Sequence, residues 1–270
     1  MNHFEGTFKG VRDLSIYHQA WIPEHEIKAA ILVVHGLGEH SGRYMNVVNH
    51  LVPQGYAIYG FDLPGHGKSE GVREFVKEFA DYTHTVTAVF NIVKEKQPDK
   101  PVFLLGHSMG GFCVALYGVR YPGKVKGIVM SGALTHDHRR LIADVPTGLD
   151  VHTQFPNELG DGVCSVKEVV DKYVADPYNT KTFTAGLCYA LNEGVCYLNA
   201  HYREFAYPVL MLHGEKDALV AVQDTYDGFA EVASKDRQMK IYGGLFHEIF
   251  NEYCHDETIA DAAAWILRRA

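Results

Sequence analysis

Apolar and polar residues follow two rhythms along this chain, and each change of rhythm marks an element. Residues 30–35 (AILVVH) are a continuous apolar run, the pattern of a strand covered on both faces. Residues 56–61, 102–105, 127–131, 209–212 and 238–242 read as further strands. Between them the apolar spacing lengthens to three and four. Val47, Val48 and Leu51 share one face of a helix over 44–52, and Phe79, Tyr82, Val86, Val89, Phe90 and Val93 share one over 78–96. Helices are also predicted over 112–121, 224–233 and 258–269. Residues 7–22 alternate more loosely and break at Arg12 and Asp13, which predicts a β-hairpin ended by Pro23. Strand followed by helix, repeated, implies an α/β fold with a doubly wound, mostly parallel sheet.

The rhythm fails in one interval. Residues 133–207 carry no clear strand pattern. They hold helical pieces over 165–175 and 183–199, with turn signals at Pro146, Pro156, Gly160-Asp161-Gly162 and Asp176-Pro177. An insertion of that length between two core strands reads as a helical cap. The expected organisation is an α/β core formed by 1–132 and 208–270, with a cap over 133–207 inserted in the same domain. No internal repeat or low-complexity segment interrupts it.

Composition narrows the function. The chain has 270 residues, 47% hydrophobic and 21% charged, which suits a large globular core. Its net charge of −8 and lack of a basic cluster argue against a nucleic-acid partner. No apolar run approaches the roughly 20 residues of a membrane span. The first residues, MNHFEGTFKG, lack a signal-peptide pattern. Transient contact with a membrane through the cap is compatible with all of this. The five cysteines are odd in number and have no CxxC spacing. They read as reduced thiols of a cytoplasmic protein, neither a disulfide frame nor a zinc site.

One short stretch carries the chemistry. In GHSMGG, residues 106–111, a serine stands where an apolar strand ends and a helix begins. Glycines on both sides relieve the crowding of a sharp turn, the geometry of a nucleophile elbow. A serine hydroxyl needs a base, most often a histidine oriented by a carboxylate. The chain has 16 histidines, so position must select among them. Active groups of an open parallel sheet gather at the carboxyl ends of its strands. Asp217 in HGEKDALV and His247 in GLFHEIFNE follow two such strands, as Ser108 follows a third. Glu215 stands two residues from Asp217 and competes for the acid role. Met109, first in the helix after the serine, offers a free N–H to a developing oxyanion. Leu37, in the glycine-rich loop His35–His40, offers the second.

The remaining candidates read as structure. His35 shapes the oxyanion loop, His66 braces a turn, and His107 packs beside the site. His136, His138 and His152 match no standard metal spacing. Tyr173, Tyr178, Phe183, Tyr189, Tyr197 and Tyr202 could line an acyl tunnel, but most read as cap core.

Five motifs together resemble the monoacylglycerol lipase and lysophospholipase group of the α/β-hydrolases. They are HGLGEHSGRY at 35–44, DLPGHGKSEG at 62–71, GHSMGG at 106–111, HGEKDALV at 213–220 and FHEIFNE at 246–252. YVADPYN at 173–179 resembles a motif of that group's cap. The resemblance implies Ser108 as nucleophile, Asp217 as acid, His247 as base, and Leu37 and Met109 as oxyanion donors. It implies no cofactor or metal, and a small single-chain lipid ester as substrate. Residues 135–162 depart from the group most. A short-chain or cinnamoyl-type carboxylesterase would share every catalytic motif, and peptidase action is a related acyl chemistry. A non-catalytic receptor on the same fold need not keep the complete triad.

Overall fold

The computed structural model describes residues 1–270. Its strands are β1 (Asn2–Lys9), β2 (Ser15–Ile22), β3 (Ala29–Val34), β4 (Tyr56–Phe61), β5 (Val102–His107), β6 (Gly127–Ser131), β7 (Gln154–Pro156), β8 (Thr182–Thr184), β9 (Val209–Gly214) and β10 (Arg237–Tyr242). Eight form one sheet in the order β1-β2-β4-β3-β5-β6-β9-β10. From β4 to β10 every pairing is parallel, while β2 pairs antiparallel with both β1 and β4, so β2 alone runs against the other strands.

The apolar runs become two cores because side chains alternate across a sheet. Ala30, Leu32 and Val34 of β3 enter one apolar cluster, and Ala29, Ile31 and Val33 enter the other. The larger cluster lies under α2 (Ala80–Lys96) and α3 (Met109–Arg120), and the smaller under α1 (Met45–Leu51). Between β6 and β9 lie α4 (Gly160–Val163), α5 (Lys167–Ala175) and α6 (Ala185–His201). Leu187, Leu191, Val195 and Leu198 of α6 join the larger cluster. The chain ends through α7 (Val222–Glu231) and α8 (His255–Leu267), and Trp265 and Ile266 of α8 complete the smaller cluster.

The structure differs from the sequence expectation in two places. The hairpin's first strand begins at Asn2, not residue 7. It is an edge strand with most side chains in solvent, so it carries no apolar alternation. The interval 133–207 does contain strands: β7 and β8 pair antiparallel, with Phe155 opposite Phe183. At three residues each they are too short to show a period of two. Helix α3 starts at Met109, where the elbow motif placed it, although the apolar pattern begins only at Phe112 because Gly110 and Gly111 contribute no apolar side chains. The parallel strands all point the same way, so the loops after β3, β5, β6, β9 and β10 meet at one edge of the sheet.

Candidate active site

Ser108 joins β5 to α3 with φ 55° and ψ −120°. A non-glycine residue in that region costs on the order of 1–3 kcal/mol, which its surroundings must offset. They do so through the backbone. The Ser108 N–H bonds Ser131 O at 2.9 Å, and its carbonyl accepts from Phe112 at 3.1 Å and Leu134 at 3.2 Å. The glycines are required by close approach. A Cβ on Gly110 would lie 2.0 Å from Val34 O, and one on Gly106 would lie 2.3 Å from Gly110 O.

His247, in the loop after β10, places Nδ1 2.5 Å from Asp217 Oδ2. A carboxylate only accepts, so Nδ1 carries the hydrogen and Nε2 is the nitrogen left for proton transfer. Asp217 Oδ1 accepts the N–H groups of Leu219 at 2.8 Å and Val220 at 2.9 Å. Glu215 instead accepts the Gly244 N–H at 3.0 Å. Burial by itself would lower the proton affinity of His247, but the Asp217 charge and hydrogen bond outweigh it, and the net shift is upward. Burial pushes Asp217 up, yet His247 and His213 hold its carboxyl well below the usual range. Ser108 and His247 line one cavity. Ser108 Oγ itself makes no hydrogen bond, and serine–base contacts of this kind often close only around substrate.

The Leu37 and Met109 N–H groups have no partner, and both residues line the same cavity. The loop that carries Leu37 is braced from several sides. His35 donates through Nδ1 to Gly36 O at 2.7 Å and accepts the Leu63 N–H at Nε2 at 2.9 Å. Burial, with His66 nearby, pulls His35 down to about 3, so it stays neutral. Glu39 Oε1 accepts from the Gly36 N–H at 2.6 Å and from the Tyr44 hydroxyl at 2.8 Å. Its other oxygen meets Arg43 at 2.8 Å, and Arg43 grips both oxygens of Glu248 at 2.6 and 2.8 Å. Burial raises Glu248, but Arg43 outweighs it and keeps the carboxyl ionised. Sequence reasoning missed this Glu39–Arg43–Glu248 cluster. The charges are visible in GEHSGRY and HEIFNE, but no local pattern pairs residues 205 positions apart.

His107 packs its ring 4.5 Å from that of His247. Burial, and then the charge of His247, lower it to about 4. His136 and His138 bond carboxylates of α7, namely Glu231 at 3.2 Å, Asp224 at 2.9 Å and Asp227 at 3.1 Å. They tie the start of the 133–207 interval to that helix. His152 packs against Phe75.

The cavity over Ser108 has an empty volume of about 420 Å³. Leu134, Leu141, Leu159, Val163 and Tyr173 give it an apolar wall from the 133–207 interval. Of the six aromatic residues considered for such a wall, only Tyr173 takes part. Phe183 and Tyr202 belong to the main core, the Tyr189 hydroxyl bonds Pro146 O at 2.5 Å, and Tyr178 is exposed. The space directly over Ser108 is narrow, with room for about one water.

Comparison with known proteins gives concordant matches. The model of the Hydrolase_4 family, described as serine aminopeptidase, S33, matches residues 25–253. A monoacylglycerol lipase of Mycolicibacterium smegmatis is 32% identical over 270 residues, covering 97% of this chain and 96% of its own length. The monoglyceride lipase of Homo sapiens is 32% identical over 252 residues, covering 88% of this chain and 81% of its own. The crystal structure of a soluble variant of Saccharomyces cerevisiae monoglyceride lipase, in complex with a substrate analog, superposes with a TM-score of 0.87. It covers 100% of this chain and 96% of its own at 20% identity, which speaks to the fold.

Proposed function

Since this chain belongs to the monoacylglycerol lipase group of the α/β-hydrolases, we propose that it is a serine hydrolase of single-chain lipid esters, with Ser108, Asp217 and His247 as its triad. Ser108 Oγ attacks the ester carbonyl while His247 Nε2 takes its proton. The Leu37 and Met109 N–H groups hold the oxyanion, each donor contributing about 3 kcal/mol to lowering the barrier. The tetrahedral intermediate collapses, and His247 returns the proton to the departing alcohol. Water then attacks the acyl-enzyme, with His247 again as base. Asp217 keeps the imidazole in the tautomer that leaves Nε2 free.

The observation that carries this reading is one cavity that joins the strained serine, the His247–Asp217 pair and two free N–H groups to a wall of leucine and valine. Residues 133–207 act as the cap, set substrate choice and move to admit the acyl chain. An aminopeptidase reading would need an unengaged carboxylate for the substrate's ammonium group. The carboxylates that line the cavity near Ser108, Glu39 and Glu248, are both bonded to Arg43. We place the enzyme in the cytoplasm, in keeping with its five free cysteines.

A chain-length series of p-nitrophenyl esters, run beside 1-monoacylglycerol and a feruloyl ester, tests the substrate class. Burying each added methylene is worth roughly 0.8 kcal/mol, so kcat/KM rises by up to several-fold per carbon until the wall ends. The maximum falls at a medium or longer chain, with monoacylglycerol cleaved. A maximum at acetate, or feruloyl cleavage without monoacylglycerol cleavage, would give the site to the short-chain or cinnamoyl esterases.

A further inference from the structure

His213 is wholly buried at the end of β9 and takes no part in the steps above. Its Nε2 lies 3.0 Å from Asp217 Oδ2 and 3.2 Å from the Val220 carbonyl. Both are acceptors, so Nε2 carries the hydrogen. The N–H is hydrogen-bonded to Val220 O, and Oδ2 lies nearer but off that axis, an electrostatic contact with the same N–H. On the far side of the ring, Nδ1 lies 2.7 Å from the hydroxyl of Thr225, a buried residue of α7. A chain of polar contacts runs from Thr225 through His213 and Asp217 to His247. Two imidazoles converge on a single oxygen of the acid, while the two backbone N–H groups hold its other oxygen.

We propose that His213 is a positioning residue for the Asp217–His247 pair: it fixes the carboxylate's orientation and moderates the negative charge presented to the base. The inference rests on the serine-hydrolase reading above. The effect of His213 on the pair is electrostatic. Nε2–H turns the positive end of its dipole to Oδ2, whichever way the Thr225 bond points. Without it, Oδ2 is a stronger acceptor for His247 Nδ1–H, and the protonated imidazole is favoured. The other charged or titratable groups facing His247 do not touch Oδ2. They are His107 from β5, Glu39 and Arg43 from the loop after β3, and the adjacent Glu248. Arg139 reaches the same loop but donates to the Asp217 carbonyl at 2.8 Å, not to its carboxylate.

The test compares His213→Leu, His213→Gln and Thr225→Val with the unaltered protein. It reads kcat and KM against pH on a soluble p-nitrophenyl ester, with fluorophosphonate labelling of Ser108 in parallel. In His213→Leu the acid limb of kcat/KM moves to higher pH by roughly half a unit to one unit, a differential interaction of ordinary size for a lost polar contact. kcat falls by about tenfold, the scale of losing an outer partner that orients an active-site ligand, and KM holds. His213→Gln, whose amide N–H replaces Nε2–H, returns the limb toward its original place. Thr225→Val, which keeps the side chain's shape and removes only its hydroxyl, shifts it in the same direction by less, with urea unfolding as the check that the variant is folded. Limbs that coincide in all four proteins, with Ser108 still labelled, overturn this proposal alone, as does a Gln variant displaced as far as the Leu variant. An unaltered protein with neither an acid limb nor labelling at Ser108 overturns both readings.

Discussion

As the proposed base, His247 works only when its Nε2 is unprotonated, and its surroundings set the pH at which that holds. Asp217 raises its proton affinity against the opposing effect of burial. Activity is therefore absent at low pH and rises through a limb that lies above about 6.5, the ordinary histidine value. Asp217→Asn removes the charge that raises it and can present its amide to the wrong tautomer. kcat then falls by roughly 10⁴-fold, and the residual limb moves to lower pH. Steady-state rates between acid and neutral pH check both statements, and an Asn variant with full activity would move the acid role elsewhere. At this scale the sequence was informative wherever topology constrained the residue. Ser108, Asp217 and His247 each follow a recognisable strand, and parallel strands bring their ends together. His213 and the Arg43–Glu248 pair were not legible, because a partner across the sheet leaves no periodic trace.

The β5–Ser108–α3 turn depends on space as much as on hydrogen bonds. Gly110→Ala would drive a methyl group into the Val34 carbonyl, which is backbone and cannot rotate aside. Overpacking typically costs about 1–3 kcal/mol, and a contact of this kind belongs at or beyond the upper end. Urea unfolding of the alanine variant is expected to give that loss together with lost esterase activity. A variant of unchanged stability and full activity would mean that the elbow is less confined than its geometry. Elements with a buried face were readable in advance, since burial imposes the apolar spacing. The start of the edge strand β1, at Asn2, and the three-residue β7 and β8 were not, because solvent or brevity removes that constraint. Helix α3 was legible in its body, and its glycine-rich start was found from the motif's chemistry instead.

Across the whole molecule, the proposed catalytic groups come from the parallel core, and the apolar wall of the cavity comes largely from the interval between β6 and β9. The core's order of strands and helices was legible because each crossover repeats one pattern. The wall was legible only as an interruption, and its lining by Leu134, Leu141, Leu159 and Val163 rather than by aromatics follows from how α4 and the preceding loop fold back over Ser108. No helix is long and apolar enough to cross a membrane. The claim that unites these features is that Ser108 is the nucleophile. Intact-mass and peptide mapping after fluorophosphonate treatment, alongside hydrolysis of a p-nitrophenyl ester, tests it most directly. The account predicts one adduct, on Ser108, that abolishes hydrolysis, and a folded Ser108→Ala protein that is neither labelled nor active. An adduct on another residue, or undiminished hydrolysis in the alanine variant, would contradict it.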